Sequence, residues 1–247
     1  MKIGVFDSGA GGLSVVKSLL EYKFFDEIIY YGDTARVPYG TKDQNTIIRY
    51  SLEALEFFNN FDIDLLITAC NTVSAYALPD MNTQSRYPVY GVIESGVMAV
   101  ENHHIAKEDE ILIIATRATI GSQSYQDALK KLGYKNITAI QTGLFVPMVE
   151  EGIFSGGILD ATMQHYFADI PQPKAIILGC THFPLIGDTI QSYFDNEPML
   201  IHSGEAIVEY LEARYDLSQK SRETNLKIFA SDNVIGLRKI AKSWLKI

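Results

Sequence analysis

Two cysteines in a chain of 247 residues cannot form a disulfide scaffold, so each has to be explained by its own surroundings. Cys70 follows the apolar run Leu65-Leu66-Ile67-Thr68-Ala69 and precedes Asn71-Thr72, whereas Cys180 follows Ala175-Ile176-Ile177-Leu178-Gly179 and precedes Thr181-His182. A free cysteine is most often a small buried hydrophobe, but polar neighbours on one side count against that use. At a strand's carboxyl end, with a helix starting next, backbone N–H groups and the positive helix terminus favour the thiolate. The expectation is a pKa drawn from about 8.5 towards neutrality. Two such thiols on opposite walls of a cleft suit removal of a proton from one face of a carbon and delivery of a proton to the other, with each positioned group worth roughly 10²–10⁴-fold.

Other residues complete the constellation. Asp7 ends the run Ile3-Gly4-Val5-Phe6, and His182 stands two residues after Cys180, so both are candidates to tune a sulfur. The turn Asp7-Ser8-Gly9-Ala10-Gly11-Gly12 fits neither the dinucleotide fingerprint nor the P-loop, and no nucleotide cofactor is expected. Its glycines instead let backbone N–H groups approach a small carboxylate. Ser8, Asn71, Thr72, Thr116, Thr119 and Thr181 are neutral donors able to orient such a ligand, although each could equally cap a helix. Pro38-Tyr39-Gly40 reads either as a plain turn or as part of the same site. Cys70, Cys180 and His182 are zinc-ligand types without paired ligand spacing, so no metal is expected. A thiol hydrolase with His182 as base is a rival, but it leaves one cysteine without work.

The elements that position these groups follow from the apolar pattern. Runs at Lys2–Phe6, Glu27–Tyr31, Ile63–Ala69, Val89–Val92, Glu110–Ala115, Ile137–Gln141, Lys174–Gly179 and Leu226–Phe229 read as strands alternating with helical segments, the signature of parallel sheets. A helix is expected near residues 43–61, with Thr41 and Gln44 at capping-box spacing. Sliding the sequence on itself at about 110 residues superposes two strand-then-polar-turn units, and Cys180 follows Cys70 by 110 residues. The two halves read as related parallel-sheet α/β units, each presenting polar groups at a strand's carboxyl end, where ligands bind in open parallel sheets. The tail carries too little apolar surface to fold alone, so its strand and its helix with Val234, Leu237, Ile240 and Leu245 should complete the first core.

Composition narrows the partners. With 47% hydrophobic and 21% charged residues, long disordered regions are excluded. Twenty-one Lys and Arg against 30 Asp and Glu give a net charge of −9, which disfavours nucleic acid and anionic lipid as partners but leaves room for a local anion site. No apolar run approaches the roughly 18 residues needed to span a bilayer, and the first residues lack a signal peptide's pattern, so a cytoplasmic location without membrane contact is expected.

Taken together, Asp7-Ser8-Gly9-Ala10-Gly11-Gly12, Pro38-Tyr39-Gly40, Ala69-Cys70-Asn71-Thr72-Val73-Ser74-Ala75 and Gly179-Cys180-Thr181-His182-Phe183-Pro184-Leu185 resemble the motifs of the cofactor-independent aspartate/glutamate racemase family, and of its glutamate racemases in particular. Four specific motifs match in order and spacing between residues 7 and 185; beyond about residue 215 none does. The resemblance implies two similar parallel-sheet α/β domains related by pseudo-twofold symmetry, with the active site in the interdomain cleft; together with the repeat it sets expected bounds of 1–92 plus 207–247 for the first and 93–206 for the second. It also implies an isomerase that interconverts L- and D-glutamate without cofactor or metal and supplies D-glutamate for peptidoglycan. It further implies that Cys70 handles the proton on the D side, assisted by Asp7. Cys180 handles the proton on the L side, assisted by His182 and by Glu150 of Pro147-Met148-Val149-Glu150. Asp7, Ser8, Pro38, Tyr39, Gly40, Asn71, Thr72, Thr116, Thr119, Thr181 and His182, with the two cysteines, are the substrate-contact positions it implies, and a homodimer is the assembly. One departure is visible in Ala115-Thr116-Arg117, where many members carry Gly-Thr, and Arg117 is expected to be a surface side chain.

Overall fold

The structure is a computed structural model that describes residues 1–217, 221 and 223–246. Five parallel strands, β1 (Lys2–Asp7), β2 (Glu27–Gly32), β3 (Leu65–Thr68), β4 (Val89–Gly91) and β9 (Asn225–Ala230), form a first sheet in the order β4-β3-β1-β2-β9. A second sheet has the order β6-β5-β7-β8, built from β5 (Ile111–Ala115), β6 (Ile137–Gln141), β7 (Ala175–Gly179) and β8 (Met199–Ile201). Matching β1 with β5, β2 with β6, β3 with β7 and β4 with β8 superposes the two strand orders. The duplication expected from the 110-residue offset is therefore present as topology. β8, only the three residues Met199-Leu200-Ile201, is too short to stand out as a run and is the strand that sequence pattern missed.

Strand residues alternate between two cores, as they must when helices cover both faces of a parallel sheet. In β5, Ile111 and Ile113 pack into one cluster while Leu112 and Ile114 pack into the other. On one side of the first sheet lie α1 (Leu13–Tyr22), α11 (Ser203–Glu212) and α12 (Val234–Leu245); on the other lie α2 (Gln44–Phe58), α3 (Asn71–Tyr76) and α4 (Leu78–Gln84). The second sheet is covered by α5 (Val92–Asn102), α6 (Arg117–Gly121) and α7 (Ser124–Lys131), and by α8 (Phe145–Glu150), α9 (Gly157–Phe167) and α10 (Gly187–Tyr193).

The expected capping box is not what starts α2. Asp43 is the N-cap, accepting from the backbone N–H of Thr46 at 3.1 Å, while Thr41 belongs to the preceding 3₁₀ turn and donates to the carbonyl of Pro38. A carboxylate is as good an acceptor there as a hydroxyl, and Asp43 sits two residues closer to the helix than Thr41. In the tail, β9 pairs with β2 from Glu27↔Asn225 to Gly32↔Ala230, and α12 buries Leu237, Ala241 and Leu245 in the first core. Each leucine so buried contributes about 1.5–3 kcal/mol. The segment expected to return to the first unit includes 218–220, 222 and 247, which lie outside the described residues.

Candidate active site

Both cysteines leave their sheets on equivalent inner strands. After β3 the chain turns at Cys70, the N-cap residue of α3; after β7 it turns at Cys180 into Thr181, His182 and a 3₁₀ turn. The two thiols are each only 7% exposed and line the same narrow cleft between the two sheets. The open space within the cleft is small, about 30 Å³. A wider groove of about 560 Å³, lined by His103, Asp188 and His202, lies away from both sulfurs, so it is convergence of reactive groups rather than size that marks the site.

The Cys70 wall is built from β1 and α3. The thiol donates to Ser8 Oγ at 3.6 Å, and the Gly9 N–H donates to Asp7 Oδ2 at 3.0 Å. Burial pushes the Cys70 thiol up to about 12, with the Asp7 carboxyl adding to the rise; the Val73 N–H and Ser8 oppose it and lose. This reverses the expected drift towards neutrality, because a six-residue helix does not offset the loss of water around the sulfur. Asp7 itself is fully buried, and burial raises its carboxyl above the usual range against the pull of His182, two backbone N–H groups and Thr181. Thr181 Oγ1 donates to Asp7 Oδ1 at 3.4 Å, a contact that joins the two walls.

On the Cys180 wall, the sulfur stands 3.7 Å from His182 Nδ1, and His182 Nε2 is 3.3 Å from Glu150 Oε1 at the end of α8. That second contact has ion-pair distance without hydrogen-bond alignment, leaving Nε2 unpartnered. Burial alone would lower the imidazole, but Cys180, Glu150 and the Asp7 carboxyl outweigh it and push it up to about 10. These neighbours favour the protonated imidazole of His182.

Neutral donors line the space between. Thr72 of α3 and Thr116 and Thr119 at the start of α6 hold their hydroxyls in a triangle 3.1–3.2 Å on a side, one corner from the first sheet's unit and two from the second's. Thr119 is buried behind Thr116, whose Oγ also caps α6 by accepting from the Thr119 N–H. Pro38, Tyr39 and Gly40 form the cleft's outer lip, and a Cβ on Gly40 would stand 2.5 Å from the Thr116 Cβ. The Tyr39 hydroxyl donates to the buried Asp33, which also accepts from Arg36 Nε at 2.6 Å. Asn71 lines the cleft, yet its side chain is taken up by Tyr125 and Ser203. Arg117 is exposed, as expected, but donates from Nη2 to the Thr41 carbonyl at 3.0 Å. Sequence reasoning passed over Val37 and Val146, which add apolar lining, as well as Asp33, Tyr125 and Ser203. Only Asp33, three residues before Arg36, carried a local charge-pair signal. Among the described residues, no three His, Cys, Asp or Glu side chains could hold a metal ion, and no helix is long and apolar enough to cross a membrane.

Comparison with known proteins places this geometry. Residues 13–211 match the family model described as Asp/Glu/hydantoin racemase. The chain is 61% identical to a glutamate racemase of Nitratiruptor sp. over 246 residues, covering 100% of this chain and 97% of that one. A crystal structure of glutamate racemase from Campylobacter jejuni is 57% identical and superposes with a TM-score of 0.98, covering 100% and 99%. One from Francisella tularensis, in complex with D-glutamate, is 34% identical with a TM-score of 0.87, covering 100% and 94%.

Proposed function

The chain belongs to the Asp/Glu/hydantoin racemase family and is an isomerase, and we propose that it interconverts L- and D-glutamate by proton transfer between Cys70 and Cys180 without a cofactor. The observation that carries the reading is the placement of the two sulfurs, on equivalent strands of duplicated units, at a single cleft. In the L-to-D direction Cys180, beside the His182 imidazolium, takes the α-proton; Cys70, whose thiol holds its proton to about 12, delivers one to the opposite face. Negative charge grows on the α-carboxylate in between, where hydroxyls such as Thr72 and Thr181 and nearby backbone N–H groups can stabilise it, each preorganised donor being worth roughly 2.7–4 kcal/mol. In the reverse direction Cys70 must become the base, and the substrate's ammonium supplies the positive charge that favours its thiolate. Asp7 assists Cys70, and Glu150 acts on Cys180 through His182.

The same reading divides the chain into 1–92 plus 207–247 and 93–206. It is supported by Val92 packing in the first core and Ile93 in the second, and by Ala206 in the second and Ile207 in the first. The small open space of the cleft suits two units that part for substrate entry and close for chemistry. Supply of D-glutamate to peptidoglycan, a cytoplasmic location and a homodimer complete the proposal.

Incubation with L-glutamate in deuterated water tests it. The α-proton signal should disappear while optical rotation decays to zero, and D-glutamate should behave alike. Exchange without inversion would overturn the two-base reading. Inversion of another small acid but not of glutamate would reassign the substrate, and no exchange would reduce the protein to ligand binding.

A further inference from the structure

The chain passes between the two units at α5 and at α11, and both helices carry side chains of both cores, so any opening of the cleft turns about this pair. Tyr125, on α7 of the second unit and 1% exposed, lies at that junction. Its hydroxyl donates to Asn71 Oδ1 at 2.7 Å and lies 3.5 Å from the carbonyl of Val92, the first residue of α5. The Asn71 amide donates in turn to Ser203 Oγ, the first residue of α11, at 3.3 Å. The ring edge packs against Gly96 of α5 and against Gly179, where an added Cβ would meet it at 3.2 Å and 3.5 Å. One side chain therefore bonds the residue after Cys70 and the start of α5, and reaches the start of α11 through Asn71. Burial raises its hydroxyl above the usual phenol range, so it remains a donor at every working pH.

We infer that Tyr125 is a positioning residue that locks the Cys70 loop to the hinge, through Asn71, when the cleft closes. The inference rests on the racemase reading above. The hydrogen bond reaches only the Cys70 side; the contact with the Cys180 side is apolar. Loss of the hydroxyl should therefore slow proton transfer at Cys70 more than at Cys180.

Tyr125→Phe keeps the ring and removes the donor. The equilibrium constant between enantiomers is one, so kcat/KM has to fall equally in both directions, and we expect about 10-fold, less than the 10²-fold that a 1 Å misplacement can cost. The side of the defect shows in isotope effects. With α-deuterated D-glutamate the effect on kcat/KM should rise above the parental value, whereas with α-deuterated L-glutamate it should not. Ser203→Ala, which frees the other end of Asn71, should shift the same isotope effect in the same direction by less, and it carries the test should Tyr125→Phe fail to fold. Parental kcat/KM in the folded variants, or a loss without that asymmetry, overturns the inference. Absence of glutamate racemisation by the parental protein would instead overturn the racemase reading.

Discussion

Cys70 and Cys180 occupy equivalent positions in duplicated units, and they keep different company. Cys70 has a hydroxyl at 3.6 Å with a buried carboxyl behind it; Cys180 has an imidazole at 3.7 Å backed by a carboxylate. Strand order and alternation repeat, so the sulfurs stand at equivalent places, while a few neighbours differ. The proposed two-base mechanism uses both features: symmetric placement would let one carbon be reached from two faces, and the buried surroundings of Cys70 would keep that thiol protonated.

The most severe way to break the comparison is to remove one sulfur. Cys70→Ser and Cys180→Ser should each lower racemisation by up to roughly 10⁴-fold, since a serine hydroxyl cannot replace a thiol as a base and each positioned group is worth up to that amount. Far-ultraviolet circular dichroism should be unchanged. Each variant should still eliminate from a glutamate analogue with a β-leaving group, Cys180→Ser from the D form and Cys70→Ser from the L form. Near-parental racemisation by either would end the two-base mechanism.

A second variant tests whether the two walls have to meet. Alanine at Gly40 would place its Cβ 2.5 Å from the Thr116 Cβ on the opposite wall, where nothing flexible can yield. Gly40→Ala should keep its melting temperature and lose roughly 10²-fold in kcat/KM, because closure would stop short of the reactive geometry. Gly143→Ala, with no atom within 4 Å of the added carbon, is the matched control and should change neither. Equal behaviour of the two variants would show that the lip has no part in closure.

Much of this asymmetry was visible as residue types before any coordinates, and some of it was not. Strands such as β5 and β7 are buried on both faces and read as unbroken apolar runs, so the duplication and the two cysteine loops could be found by sliding the sequence on itself. The direction of the Cys70 shift could not, because it depends on how much water reaches the sulfur, and burial is a property of the assembled cleft. Tyr125 was invisible for a related reason. Its hydrogen-bond partners are 54 and 33 residues away in sequence and carry no local signature.

The pH dependence of stability separates the two walls without any substrate. His182 rises from 6.5 unfolded to about 10 folded, so its contribution is complete below about pH 6.5 and is lost as pH climbs towards 10. Cys70 rises from 9.0 to about 12, so its loss begins only above about pH 9. The melting temperature should therefore fall from pH 7 upwards, at about 2–4 °C per kcal/mol for a chain of this size. His182→Gln should flatten the curve between pH 7 and 9, whereas Cys70→Ser should flatten it only above 9. Calorimetric scans of the three proteins across that range decide the assignment, and a parental curve that rises from pH 7 to 9 would contradict it.

The smallest expected effect belongs to Arg117. Its guanidinium lies on the second unit and reaches the Thr41 carbonyl on the first, so this hydrogen bond exists only while the mouth of the cleft is closed. An interaction made in one of two states shifts their ratio by its own free energy, and apparent affinity follows the population of the competent state. Solvent competes for an exposed bond, which places it near the low end of the usual range of about 0.5–1.5 kcal/mol. Arg117→Ala should accordingly raise KM about 2–3-fold for both enantiomers, the factor that about 0.5 kcal/mol allows. Turnover should stay level or rise slightly, since a looser mouth also releases product sooner. Steady-state kinetics in both directions measure this. Turnover slowed by two orders of magnitude would mean that the guanidinium meets the substrate's carboxylates directly, and the picture of a cleft that grips two carboxylates with neutral donors alone would fail with it.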